Sequence, residues 1–122
     1  MPRVLLVCTE SVLCERLRTA FRPHREFEIY GGVKNGVGTF EQVSEIHPDL
    51  VILQMADGPN GGFEMAERLK RILARVPLFL VTQEHSMSVE KEAFLRGIDA
   101  VFKNDYDLTS LVMNAGAMCG LE

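Results

Sequence analysis

No stretch of this chain approaches the roughly 20 consecutive apolar residues that a membrane-spanning helix needs, and none is a run of basic residues. Lysine and arginine number 13 against 17 acidic residues, for a net charge of -4. A surface that binds nucleic acid non-specifically is therefore not expected. There are only three cysteines, Cys8, Cys14 and Cys119. They lack metal-ligand spacing, and an odd count argues against a disulfide framework, so they read as buried or idle thiols. No linker, repeat or low-complexity segment interrupts the chain. The first apolar run starts almost at Met1, which leaves no room for a signal peptide and makes the cytoplasm the expected location.

What is present fits one domain, residues 1–122. The length suits a single domain, and 47% hydrophobic residues suffice for one core. Charged residues, at 25%, are ordinary for a water-exposed surface. Val4-Leu5-Leu6-Val7 is a short all-apolar run, the pattern of a strand buried on both faces. A helix follows, capped by Glu10 or Ser11, with Leu13, Leu17, Ala20 and Phe21 on one stripe. Phe27 to Tyr30 alternates as an edge strand does, and a glycine-rich loop begins at Gly31. Thr39-Phe40-Glu41-Gln42 fits a capping box, which starts a helix that turns Phe40, Val43 and Ile46 inward.

The chain is organised around His47 to Phe63. Leu50-Val51-Ile52-Leu53 is apolar and stops at Gln54. Asp57-Gly58-Pro59-Asn60-Gly61-Gly62 reads as a loop, and a helical pattern starts at Phe63. Its buried side is Phe63, Ala66, Leu69, Ile72 and Leu73. Arg68, Lys70, Arg71 and Arg75 read as a solvated face. Leu78 to Val81 is a fourth strand, ending at Thr82. A fourth helix runs from about Ser86 or Ser88 to Arg96, with Gly97 at its end. Ala100-Val101-Phe102 is a fifth strand. Asp107 is the expected cap of a last helix with Leu108, Leu111, Val112 and Ala115 on the core. Five rounds of strand and helix predict a doubly wound parallel α/β sheet, with flavodoxin-like order 2-1-3-4-5 and five helices. Ligands of such sheets bind at the carboxyl ends of the strands, in the crevice between the first and third.

His47-Pro48-Asp49-Leu50-Val51-Ile52-Leu53, with Gly62 and Glu64, resembles the receiver domain of two-component response regulators. The likeness extends over nearly the whole chain without gaps. It implies a site of an acidic pair after the first strand, an aspartate ending the third, a hydroxyl after the fourth and a lysine after the fifth. The aspartate accepts a phosphoryl group from a histidine kinase, with magnesium on the acidic pair.

In this chain the acidic pair falls on Cys8 and Thr9, with Glu10 one place late. The acceptor position is Gln54, whose amide cannot form an acyl phosphate. Thr82 matches the hydroxyl. An ungapped count puts Asn104 at the lysine position with Lys103 just before it. A one-residue slip would restore Lys103 but reverse its face. The family's proline, four places after the acceptor, falls on Gly58, one short of Pro59. The aromatic of the fifth strand falls near Val101, beside Phe102. Asp57 reads as a turn residue. No metal site and no cofactor are expected.

The resemblance thus implies a degenerate receiver, or pseudo-receiver. Such a domain signals through protein contacts and is not expected to be an enzyme or to use aspartyl phosphorylation. Its partner, whether a regulator, an output domain or a second copy, would bind the face of the fourth helix, fifth strand and fifth helix. Met87, Phe94, Tyr106, Met113 and Met118 lie in that region, although core packing is the default use of each. The domain is expected to be monomeric or weakly dimeric, with no direct contact to nucleic acid or membrane. The rival readings are a small-molecule binder in the crevice and a phosphorylatable receiver using a displaced acid such as Asp57.

Overall fold

The computed structural model describes residues 1–8, 10–33, 43, 45–54, 59–103 and 108–120. The elements run β1 (Arg3–Cys8), α1 (Ser11–Phe21), β2 (Glu28–Val33), β3 (Leu50–Gln54), α2 (Pro59–Ile72), β4 (Leu78–Thr82), α3 (Met87–Leu95), β5 (Ala100–Lys103) and α4 (Thr109–Met118). The five strands form one sheet in the order β2-β1-β3-β4-β5, and every pairing is parallel. This is the expected order. The described residues hold four helices against the five expected. The helix expected from Thr39 falls mostly outside them. Val43, Glu45 and Ile46 are helical there, and the His47 N–H donates to the Val43 carbonyl at 3.3 Å.

The all-apolar strands are buried on both faces because helices cover both. Alternate residues feed two cores. Val4, Leu6, Leu50, Ile52, Phe79 and Val81 pack with Leu13, Leu17 and Phe21 of α1 and with Leu111, Val112 and Ala115 of α4. Leu5, Val7, Val51, Leu53, Leu78 and Leu80 pack with Phe63, Ala66 and Leu69 of α2 and with Val89 and Ala93 of α3. Each fully buried aliphatic side chain contributes about 1.5–3 kcal/mol, so both layers are needed to hold the sheet.

Two carboxylates fasten the amino ends of strands. Asp49 accepts the Arg3 N–H at 2.8 Å, which ties β3 to the start of β1. Asp99 accepts the Leu78 N–H at 2.7 Å and the Lys70 ammonium at 3.2 Å. Lys70 also donates to the Val76 carbonyl at 2.7 Å, so it is a tether and not part of a purely solvated face. Arg96 joins α3 to α2. It donates to Glu92 at 2.8 Å and Glu67 at 2.7 Å, and its guanidinium lies 5.4 Å from the Phe63 ring centroid.

The structure departs from the sequence reading at three boundaries. β2 continues through Gly31 to Val33 where a loop was expected. Its register with β1 slips there: Leu6 pairs with Gly31 but Val7 with Val33. Gly31 has φ 118°, and a Cβ on it would lie 2.3 Å from the Leu6 carbonyl oxygen, so this crossing needs glycine. α2 starts at Pro59, four residues before the expected Phe63, because proline suits a first helical turn. At its far end Ile72 is 50% exposed instead of buried. α4 starts at Thr109 after Leu108, with no side-chain cap, and Asp107 lies outside the described residues.

The ends of α3 follow expectation. Ser86 caps it, its hydroxyl accepting the Val89 N–H at 3.2 Å. Gly97, at φ 87°, closes it as a Schellman motif. Its N–H donates to Phe94 and the Ile98 N–H to Ala93, at 3.2 and 3.0 Å.

Candidate functional site

The parallel sheet brings Cys8, Gln54, Thr82 and Lys103 to one edge, as the last residues of β1, β3, β4 and β5. Register and pleat then divide them. Cys8 is the Cα partner of Gln54, and both belong to the face covered by α1 and α4. Thr82 is the partner of Lys103, one pleat on, toward α2 and α3. Thr9, Asp57 and Asn104 lie outside the described residues.

Gln54 is 3% exposed, and its amide Nε2 donates to Glu10 Oε1 at 3.4 Å. Glu10 is the N-cap residue of α1, but its side chain makes no capping bond and turns to Gln54. The degenerate positions Cys8, Thr9, Gln54 and Asn104 carry no charge. The structure instead brings a carboxylate in from the helix start. Thr82 is buried, and its hydroxyl accepts the Glu84 N–H at 3.2 Å, closing the turn after β4. Lys103 is exposed.

The aromatic question is resolved by the pleat. Val101 is half-buried against the α2–α3 core, on the Thr82 side. Phe102 faces the other core, its ring centroid 5.1 Å from that of Phe79. Phe102 therefore does not stand in for an aromatic beside Thr82.

Cys8 and Cys14 are buried free thiols, as expected. Cys14 lies in the first turns of α1, 6% exposed, in the same core cluster as Cys8. The Cys14 side chain and burial push the Cys8 thiol far above its ordinary range. The Cys8 side chain pulls the Cys14 thiol down, and the Arg18 charge one helical turn on adds to that effect. Cys14 falls on the same stripe as Leu17 and Phe21. Among the described residues no group of three His, Cys, Asp or Glu side chains is placed to hold a metal ion.

A second feature lies on the far flank. A groove of about 730 Å³ opens between α3 and β5, lined by Met87, Lys91, Phe94, Ile98 and Val101 among others. Met87, Phe94, Leu95 and Met113 are 86%, 76%, 77% and 69% exposed. The default of core packing thus fails for Met87, Phe94, Met113 and Met118. Tyr106 lies outside the described residues.

The fold is that of response regulator receiver domains. A response regulator from Thermotoga maritima superposes with a TM-score of 0.86 over 98% of each chain, at 13% identity. A two-component response regulator from Clostridium difficile gives 0.82 at 17% identity, covering 97% of this chain and 95% of that one. HP1043, an orphan response regulator of H. pylori, gives 0.74 at 20% identity, covering 97% and 96%. In sequence, the transcriptional regulatory protein LnrK of Bacillus subtilis (strain 168) is 20% identical over 112 residues. The match covers 92% of this chain, which spans about half (51%) of the length of that relative. No family model matches the chain. No helix among the described residues is long and apolar enough to cross a membrane.

Proposed function

We propose that this chain is a receiver-type signalling module that works through protein contacts and without aspartyl phosphorylation. The observation that carries the reading is the buried Gln54 at the end of β3, set against Cys8 and Glu10. An amide oxygen is a poor nucleophile and yields no acyl phosphate. Magnesium takes hard oxygen ligands, usually one or two carboxylates with phosphate oxygens. Cys8 offers sulfur in place of one of these, and its thiol keeps its proton. Phosphoryl transfer depends on positive charge around the moving oxygens. With Asn104 at the lysine position, Lys103 comes just before it, and the pleat turns it to the Thr82 side.

The test is to incubate the purified protein with a small phosphodonor and Mg²⁺ and weigh it intact. No added phosphoryl group is expected. Addition on Asp57, found by peptide mapping, would favour the displaced acid and sink this reading. The contact surface is the α3–β5–α4 face, which suits a protein partner in the cytoplasm. The exposed Met87, Phe94 and Met113 support that assignment, since methionine and aromatics are favoured at interfaces.

A further inference from the structure

The outer surface at the end of α2 takes no part in the crevice or in the α3–β5–α4 face. The chain from Arg68 to Gln83 holds no acidic residue. Within it Arg68, Arg71, Ile72, Ala74 and Arg75 are all exposed. Arg68, Arg71 and Ile72 stand three and four positions apart in the last turns of α2, so they share one face. Arg75 follows in the turn after the helix, where the Val76 N–H donates to the Leu73 carbonyl at 3.1 Å. Ile72, 50% exposed, is the one large exposed apolar side chain among them.

The three arginines are not used by the fold. Arg3, Lys70 and Arg96 are ion-paired, and Arg18 donates to the Gly31 carbonyl. Among the described residues Arg68, Arg71 and Arg75 have no ion pair and no hydrogen-bonded side-chain partner. Basic residues at a helix end ordinarily offset its dipole and its free carbonyls. Lys70 already does so, donating to the Val76 carbonyl at 2.7 Å, and Asp99 neutralises it at 3.2 Å. Glu67, the last acid before Arg68, is taken by Arg96 at 2.7 Å. Glu64, one turn before Arg68, is exposed and makes no ion pair. A compact, unopposed positive patch with an apolar centre is left over.

We propose that this end of α2 is a docking surface for a short acidic segment of a protein partner. Carboxylates of that segment pair with Arg68, Arg71 and Arg75, and an apolar residue among them covers Ile72. Arginine suits the role, because its planar fork meets a carboxylate through two parallel hydrogen bonds. Charge decides the class of partner. The whole chain carries -4, so an extended polyanion such as duplex DNA or an anionic membrane meets net repulsion. Screening confines each charge to about 8 Å at physiological salt. A short acidic segment therefore feels chiefly the arginines. One isoleucine is also too little apolar surface to anchor a helix in a membrane.

The test titrates a synthetic peptide, rich in glutamate with one central leucine, into the isotope-labelled protein and follows the backbone amide signals. The same peptide with glutamine for glutamate is the control. Shifts should concentrate in residues 68–76, and the glutamine peptide should cause none there. Arg71→Gln with Arg75→Gln should weaken binding about tenfold, the loss of two exposed ion pairs. Arg22→Gln with Arg25→Gln removes the same charge from exposed positions at the end of α1, on the other face of the sheet. It should weaken binding less than about twofold, since those charges lie beyond the screening distance. Arg71→Glu with Arg75→Glu should transfer binding to a peptide with lysine for glutamate. The amide spectrum of each variant reports that it is folded. Equal losses in the two glutamine pairs would overturn the proposal, and so would shifts that miss residues 68–76. Equal binding of the glutamine peptide, or tighter binding of duplex DNA or phosphatidylglycerol vesicles through the same arginines, would overturn it as well.

Discussion

At the scale of single residues, Gln54 decides what the crevice can do. Gln54→Asp alone should remain unphosphorylated by a small phosphodonor with Mg²⁺. The new carboxylate would meet Glu10, whose oxygen lies 3.4 Å from the present amide nitrogen. An attractive contact becomes a like-charge one in a site that is almost dry. Burial and the neighbouring charge both raise the pKa of the new acid and weaken it as a nucleophile. The variant should also lose roughly 1–3 kcal/mol of stability. An acid with a raised folded-state pKa binds its proton more tightly when folded. The deficit should therefore grow as pH rises through the carboxylate range and shrink as pH falls. Urea unfolding at pH 4 and pH 7 reads this directly. A variant as stable as the parent at pH 7 would show that Glu10 moves away.

Recovery of activity should need the whole charge set. Cys8→Asp, Thr9→Asp, Gln54→Asp and Asn104→Lys together supply metal ligands, acceptor and counter-charge. Intact mass after incubation with phosphodonor is the readout. Phosphorylation of the single Gln54→Asp variant would show that Glu10 already suffices as a metal ligand.

At the scale of elements, the uniform apolar runs made the sheet legible. Leu50 to Leu53 and Leu78 to Val81 are strands with every residue buried, and short loops between them leave only parallel crossovers. The stripe of α4 was legible for the same reason: Leu108, Leu111, Val112 and Ala115 are all buried. What could not be read was local geometry that depends on a distant backbone. Gly31 looked like a loop residue because nothing in the sequence shows Leu6 passing close by. Gly31→Ala should therefore be costly. The residue is held at φ 118° and the added Cβ meets a carbonyl at 2.3 Å. A loss of at least about 1–3 kcal/mol is expected for such a strained backbone. Gly97→Ala is the contrast. Its Cβ would meet the far, adjustable part of the Lys70 side chain, Cγ nearest at 3.2 Å, so the cost should be near the ~1–2 kcal/mol of a left-handed residue. Denaturant midpoints of the two variants rank them. Equal losses would mean that the β1–β2 bulge relaxes.

At the scale of the whole molecule, helix α3 turns large apolar side chains outward. Its buried side is Val89 and Ala93, while Met87, Phe94 and Leu95 face water. The sequence could not reveal this, because periodicity marks apolar positions and not which of two apolar stripes the sheet covers. Large apolar residues gathered on one flank normally mark a contact surface. Phe94 is 76% exposed, so Phe94→Ser should change folding stability by no more than about 0.5 kcal/mol. Met113→Ser should behave alike. Together they should abolish any weak dimer that the parent forms, as sedimentation at rising concentration would record. The groove beside them carries Glu90, Lys91 and Asp99, charges of both signs. The attraction is then chiefly apolar, and the dimer should persist when salt is raised, since screening weakens only exposed charge pairs. A parent that stays monomeric at every concentration would remove a second copy from the candidate partners. A dimer untouched by both substitutions would place the contact on another face.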